Sequence, residues 1–148
     1  MDKKMENFVL DIMKNHNILT LATLREDGYP QANTVTYAND GLTIYFSTAQ
    51  DSQKIKNVKN SNKVSLTIDK DYEDWNKIKG LSMAATAEIL TNPDEIKTAM
   101  NCLVKKFPFL AEIPEPEEPT ITVVKITPNI ISVLDYELGF GHTDLVEV

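Results

Sequence analysis

The residues best suited to chemistry lie where a predicted helix begins, in the sequence Asp51-Ser52-Gln53-Lys54. Ser52 is a good N-cap, and Lys54 follows it by two residues, where free backbone amides meet the positive end of a helix. A phosphate at this position would accept hydrogen bonds from the Ser52 hydroxyl, the first amides and the Lys54 ammonium. The alternative is that Lys54 is a solvated helix lysine like Lys56 and Lys59.

Two polar segments precede this helix start along the chain. Asn33-Thr34-Val35-Thr36 lies in the middle of a predicted strand, where polar residues on both faces are unusual in a packed barrel. Thr36 is equally an ordinary β-branched strand residue. Ser47 and Thr48 end the next predicted strand and lead toward Ser52.

Hydrophobic periodicity predicts three helices and seven short strands that position these residues. The first predicted helix covers residues 2–15, and the second runs from Ser52 through Asn60. The third begins after the cap Asn92, and its inner face consists of Ile96, Met100, Leu103, Val104 and Phe107. The predicted strands are 18–24, 31–38, 42–47, 64–68, 81–90, 120–126 and 130–134. Because the strands are mostly consecutive, they predict a mainly β fold, a small antiparallel barrel decorated by helices.

Three connections and surfaces of this barrel can be predicted from local composition. Asn39-Asp40-Gly41 predicts a hairpin between strands 31–38 and 42–47. Small residues in strand 81–90, at positions 84, 85 and 87, would let a second layer or a second subunit approach closely. The acidic, proline-rich segment 114–119 predicts a loop.

Composition limits the class of protein. A chain of 148 residues with 42% hydrophobic residues fits one domain, residues 1–148, with a sizeable core. The net charge of −7 argues against nucleic-acid binding, which depends on clustered lysine and arginine. The apolar runs are too short to cross a bilayer and the N-terminus is charged, so we expect a cytoplasmic protein without a membrane partner.

The residues that usually bind metals are too few here to predict a metal site. Cys102 is the single cysteine, which excludes an internal disulfide and favours a buried structural thiol. His16 and His142 are better interpreted as solvated or capping residues than as metal ligands. The acidic run 69–74 fails as a calcium loop because it lacks glycine at its sixth position and glutamate at its twelfth.

Four segments taken in order resemble the flavin-binding split-barrel family, which contains the pyridoxamine 5′-phosphate oxidases: Asp27-Gly28-Tyr29-Pro30, Asn33-Thr34-Val35-Thr36, Tyr45-Phe46-Ser47-Thr48 and Ser52-Gln53-Lys54. The order and spacing of the segments carry the resemblance, which is good from Ile18 to Leu90 and loose beyond. It implies a split β-barrel of six to seven antiparallel strands with about three helices. It also implies a homodimer that holds two FMN molecules at its interface.

The resemblance further implies which residues contact FMN in this chain. By position, the flavin ring and ribityl chain would lie along Asn33, Thr34, Val35 and Thr36, and the phosphate beside Ser47, Thr48, Ser52, Gln53 and Lys54. Trp75 would cover a flavin edge, as in some relatives, or be a partly exposed packing residue. The tail Gly139-Phe140-Gly141-His142 either folds over the cofactor or forms a plain turn.

The activity implied by the resemblance is an FMN-dependent oxidoreductase acting on a small-molecule substrate or electron acceptor, such as a quinone or a nitro compound. A genuine pyridoxamine 5′-phosphate oxidase is disfavoured, because Asn33 stands where that enzyme has a flavin-contacting arginine and no arginine follows Arg25. The scarcity of arginine also disfavours a polyanionic deazaflavin. The alternatives are a non-enzymatic flavin carrier or sensor, and haem binding with His142 or His16 as axial ligand.

Overall fold

The helices begin where the sequence predicts. A computed structural model describes residues 1–115 and 120–148. Its helical elements are α1 (Lys3–Asn15), α2 (Gln53–Asn60), α3 (Pro93–Lys106) and the 3₁₀ segments Trp75–Lys77, Pro108–Glu112 and Tyr136–Leu138. The N-caps of α2 and α3 are Ser52 and Asn92, as predicted. Part of the predicted acidic loop, residues 116–119, lies outside the described residues.

Eight strands form one curled antiparallel sheet in the described part of the chain. They are β1 (Ile18–Leu24), β2 (Pro30–Thr36), β3 (Ala38–Asp40), β4 (Thr43–Ala49), β5 (Lys63–Ile68), β6 (Lys79–Ile89), β7 (Ile121–Asp135) and β8 (Thr143–Glu147). The order is β2-β1-β5-β6-β7-β4-β3, with β8 beside the second half of β7. This arrangement confirms the mainly β, antiparallel split-barrel fold with three helices.

The predicted strand 31–38 is wrong as a single strand, because it divides at Tyr37. β2 pairs with β1 at one end of the sheet, whereas β3 pairs with β4 at the other end. Tyr37 is fully buried, its amide donates to the Asn17 carbonyl and its hydroxyl donates to the Met13 carbonyl at 2.7 Å. These bonds to the end of α1 remove Tyr37 from the ladder, so the predicted hairpin at Gly41 joins only β3 to β4.

The last two predicted strands are also wrong in their bounds, because they form one strand, β7. Pro128 does not interrupt it: β6 accommodates the proline with a register shift between Ala84 and Ala85. β4 pairs with the first half of β7 and β8 with the second half. β8 lies in a segment for which the sequence had predicted no strand.

The core lies between the inner face of the sheet and α1. Val9 and Met13 of α1 are fully buried in it, together with β-strand residues such as Phe46 and Ile126. A second, smaller cluster lies under α3 and contains Ala99. Of the predicted inner face of α3, Leu103 is fully buried and the other four residues are partly buried.

Two surfaces of the sheet matter for function. Its curvature brings β2 next to β4, although the two strands do not pair, and this unpaired junction is the split of the barrel. The outer face across β2, β1, β5 and β6 carries mainly threonine, serine and alanine side chains.

None of the helices in the described part of the chain has the length and apolar character that a membrane span requires.

Candidate functional site

A cavity of about 360 Å³ lies at the split of the barrel. It is lined by Thr34, Val35 and Thr36 of β2, Ser47 and Thr48 of β4, Lys54 of α2, Leu103 of α3, and Phe107, Phe109 and Leu110 beyond it. Six of the ten residues predicted to contact a cofactor therefore lie around one cavity. Segments that are far apart in sequence meet there because β2 and β4 adjoin at the split.

The start of α2 lies beside this cavity, and its Lys54 is one of the lining residues. Ser52 has the extended backbone of an N-cap, but its side chain makes no capping hydrogen bond. Helix geometry leaves the amides of Gln53 and Lys54 without a carbonyl acceptor inside the helix. The first turn of α2 contains no acidic residue. These features leave donors and positive potential at the end of the helix that faces the cavity.

Lys54 and the hydroxyls of β4 add to this positive, hydrogen-bonding corner. Lys54 is half-buried, and none of the ion pairs found within residues 1–115 and 120–148 includes it. The Thr48 hydroxyl lies 3.5 Å from the Ser52 hydroxyl, so both oxygens stand beside the helix start. We call the group Ser47, Thr48, Ser52 and Lys54, with the first amides of α2, the phosphate corner, because its donors suit an anion.

Four of the ten predicted residues do not line the cavity: Ser52, which lies only beside it, and three that point elsewhere. Asn33 shares the inner face of β2 with Gln31 and does not line the cavity. The Gln53 side chain donates to Asn57 Oδ1 at 2.8 Å, away from the cavity. Trp75 is 66% exposed in the 3₁₀ segment that packs beside residues 136–138, so it does not reach this cavity within one chain.

The cavity also has an apolar wall that the sequence had not predicted. It consists of Leu103, Phe107, Phe109 and Leu110. The Phe107 and Phe109 rings meet edge to face, with centroids 6.4 Å apart, and Phe109 is 61% exposed. The signal in the sequence was the pair of phenylalanines around Pro108, at the point where the proline ends α3.

Lys106 fixes the position of this wall. Its ammonium donates to the Met13 and His16 carbonyls at the end of α1 and lies 3.9 Å from the centre of the Tyr37 ring. Burial lowers the pKa of Lys106 and raises the pKa of Tyr37. Because Lys106 precedes Phe107, its contacts hold the end of α3 against α1 and thereby set where the wall begins.

The two histidines lie apart from the phosphate corner. His16 Nδ1 is 2.7 Å from the Ile12 carbonyl, and His142 Nε2 is 2.9 Å from Asp144 Oδ2. The tail around His142 forms a turn in which Gly139 and Gly141 have positive φ. Within the turn, Phe140 meets the Tyr136 ring edge to face but stays largely exposed. Across the described chain, no group of three or more acidic, cysteine or histidine side chains is placed to bind a metal.

The fold places this chain in the class of antiparallel split barrels, and comparison with known proteins gives the family. A family model described as pyridoxamine 5′-phosphate oxidase matches residues 1–134. The chain belongs to this family. Its single arginine, Arg25, pairs with Asp27 at 3.0 Å in the turn between β1 and β2 and does not line the cavity. The chain is therefore a member of the family without being a genuine pyridoxamine 5′-phosphate oxidase.

Individual proteins are similar to this chain in sequence or in fold. General stress protein 26 of Bacillus subtilis is 34% identical over 65 residues, which are 44% of this chain and 46% of that protein's length. A Clostridium acetobutylicum protein related to general stress protein 26 has a TM-score of 0.73 at 20% identity, with 100% of this chain and 97% of that chain covered. A haem-binding protein from Mycobacterium smegmatis has a TM-score of 0.80 at 20% identity, covering 99% of this chain and 59% of that one. At such identities the structures establish the shared fold.

Proposed function

We propose that this protein is a flavoprotein that binds FMN in the cavity at the barrel split and acts as an oxidoreductase. The observation that carries the proposal is the composition of that cavity. Polar residues of the phosphate corner, among them Lys54, and an apolar, aromatic wall line the same cavity. A ligand that suits both has an anionic group joined to a flat ring system.

The phosphate corner fits the phosphate of FMN. The open amides of α2, the Ser47 and Thr48 hydroxyls and the Lys54 ammonium are all hydrogen-bond donors, and a dianion accepts from several of them together. Ser52 is free to turn its hydroxyl to the ligand because it does not cap the helix. Riboflavin lacks the phosphate and would use none of these contacts, which gives the proposal a sharp test.

The remainder of the cavity fits the ring and its polyol chain. Thr34 and Thr36 offer short polar groups along β2, and Leu103, Phe107 and Phe109 offer apolar surface for the flat ring. FMN supplies hydride or electron transfer when it is bound, and the chain binds and orients it. Asn33, Gln53 and Trp75, which the resemblance also implies as contacts, are secondary candidates because they do not line the cavity within one chain.

We further propose a homodimer with shared FMN sites. The cavity of about 360 Å³ is at the small end of the usual range of ligand sites, roughly 300–1,000 Å³, so a partner chain would complete it. A groove of about 480 Å³ on the outer sheet face, lined by Ala22, Ser65, Ala84 and Ile130 among others, offers a surface of small side chains for close approach. Trp75 would then contact the cofactor of the partner.

The substrate that we propose is a small electron acceptor of the quinone or nitro type, and the place of action is the cytoplasm. No catalytic side chain is assigned. Arg25, the single arginine, is paired with Asp27 away from the cavity, so there is no arginine to bind a substrate phosphate there. An uncharged, flat electron acceptor would pack against the apolar wall more favourably than a phosphorylated vitamin would.

The test begins with the absorption spectrum of protein purified without added cofactor, followed by titrations with FMN and riboflavin. We expect a flavin spectrum, tighter binding of FMN than of riboflavin, and a dimer in sedimentation. Oxidation of NADH or NADPH with a panel of acceptors then distinguishes an enzyme from a carrier. Equal affinity for FMN and riboflavin, or no affinity for either, would overturn the proposal.

A second candidate function is non-enzymatic cofactor binding, with flavin or haem. The observation that favours haem is the fold shared with the Mycobacterium smegmatis haem-binding protein. In this chain His142, half-buried and hydrogen-bonded to Asp144, is the candidate axial ligand, and His16 is the alternative. A shift of the haemin Soret band on addition of the protein that is lost in His142→Ala would support this function. A Soret band that stays that of free haemin would exclude it.

A further inference from the structure

A buried amide holds α2 against the sheet. Apart from tyrosines, the buried polar side chains in the described part of the chain are Thr23 of β1 and Asn57 of α2, at 2% and 1% exposure. Asn57 Nδ2 donates to Thr23 Oγ1 and to Gln31 Oε1, each at 3.0 Å. Its Oδ1 accepts from Gln53 Nε2 at 2.8 Å. We call these four side chains the amide network.

Packing alone does not explain an asparagine at this position. A buried amide is costly unless its groups are paired, whereas an apolar residue would anchor a helix to a sheet without that requirement. In Asn57 both amide hydrogens are donated, to β1 and to β2, and the oxygen accepts from α2 itself. Such bonds are directional, so they fix how α2 is rotated about its own axis, which the apolar contacts of Ile55 and Val58 do less strictly.

The geometry of the helix places Lys54 between these two kinds of anchor. At about 100° per residue, Lys54 lies about 60° from Asn57 on one side and about 40° from Val58 on the other. Val58 and Ile55 pack in the core, and Asn57 bonds to the sheet. If the bonds on the Asn57 side were lost, α2 would be held on one side only and the direction of Lys54 would no longer be fixed.

We propose that Asn57 is a positioning residue for the phosphate corner: it sets the rotation of α2, so that Lys54 and the first amides face the cavity. This inference rests on the proposed function and goes beyond it, since Asn57 itself does not line the cavity. Gln53 acts with it. Its side chain, implied by the resemblance to contact the phosphate, instead ties the first turn of α2 to Asn57.

The test compares FMN with riboflavin in Asn57→Leu, which keeps a side chain of similar size and removes the amide. We expect the Kd for FMN to rise about tenfold and the Kd for riboflavin to change less than about twofold, because only FMN uses the phosphate corner. Ile68→Val, a mild truncation of a fully buried residue of β5 outside the amide network, is the control for lost stability. It should leave the preference for FMN unchanged.

Two milder variants keep the inference testable if Asn57→Leu does not fold. Thr23→Val removes one acceptor at constant shape, and Gln53→Leu removes the bond to the first turn at an exposed position. Each should reduce the preference for FMN over riboflavin by less than Asn57→Leu does. Parallel weakening of both ligands, or an unchanged preference, would show that Asn57 has only a structural role. Wild-type protein without any FMN preference would instead overturn the proposed function.

Discussion

α2 and α3 begin with similar capping residues, yet their first turns are built differently. At α3, Asn92 Oδ1 accepts from the amides of Asp94 and Glu95 at 2.9 and 3.3 Å, and both of these residues are acidic. At α2, Ser52 makes no such bond and the first turn has a lysine in place of acids. At the start of α3, the protein itself accepts hydrogen bonds from the first amides and places negative charge near the positive end of the helix. At the start of α2 it does neither, so a bound anion could do both.

The position of each helix start agrees with this difference. The residues at the start of α3 are exposed, and its acidic residues border a small cavity of about 190 Å³. The start of α2 lies at the barrel split beside the Thr48 hydroxyl, on a cavity with an apolar wall. An uncapped helix start next to a cavity of this composition is the physical basis for proposing an anionic, ring-bearing ligand.

Among the proposed variants, Lys54→Ala should have the largest effect on the preference for FMN over riboflavin. Loss of a charge-assisted bond to phosphate predicts an increase in the FMN Kd of about ten- to a hundredfold, with riboflavin affinity unchanged. Fluorescence quenching of the flavin measures both constants. The matched control is Lys56→Ala on the exposed side of the same helix. If the variant weakened riboflavin as much as FMN, Lys54 would have no role in phosphate binding.

Ser52→Asp should make the α2 start resemble that of α1, where Asp2 accepts from the Met5 amide at 2.7 Å. The new carboxylate would cap the helix and occupy the phosphate corner with like charge. We expect a higher Tm for the free protein and an FMN affinity about tenfold weaker. Ser61→Asp at the other end of α2 is the control. Unchanged FMN affinity would place the phosphate away from this helix start.

Removing the N-cap side chain of α3 should lower the free energy of unfolding more than removing that of α2. Asn92→Ala should lower the free energy of unfolding by about 1 kcal/mol, because two amides lose their acceptor. Ser52→Ala should cost less than about 0.5 kcal/mol, since Ser52 makes no capping bond. Urea unfolding without ligand measures both values. Equal losses would mean that Ser52 caps α2 in solution.

The smallest expected effect concerns the apolar wall. Phe109→Ala should weaken FMN and riboflavin alike by about threefold, because both ligands carry the ring that this aromatic residue would cover. Tyr29→Ala, at an exposed aromatic in the β1–β2 turn, is the control. A loss confined to FMN would assign Phe109 to the phosphate end and contradict the proposed orientation of the ligand.

The features that the sequence predicted correctly depend on neighbouring residues. Ser52 and Asn92 start helices because capping chemistry is local, and the hairpin at Gly41 depends on its own turn residues. The division of 31–38 could not be predicted in this way. It depends on Tyr37 bonding to Met13 and Asn17, contacts that exist only after α1 has packed on the sheet.

The same distinction applies to the candidate site. Thr34 and Thr48 were implied by the family resemblance, and Lys54 was also predicted from its position at a helix start; all three line the cavity at the barrel split. The direction of the Gln53 side chain was not predictable, because its partner Asn57 is itself held by two different strands. Phe109 was missed because the end of α3 is set by Lys106 contacts with α1.

The most direct test of the central claim is a crystal structure of the protein grown with FMN. We predict that the phosphate lies at the start of α2, accepting hydrogen bonds from the amides of Gln53 and Lys54 and from the Lys54 ammonium, with the ring against Phe107 and Phe109. A flavin bound with its phosphate elsewhere, or α2 amides bonded to other protein groups in the presence of saturating FMN, would contradict the account.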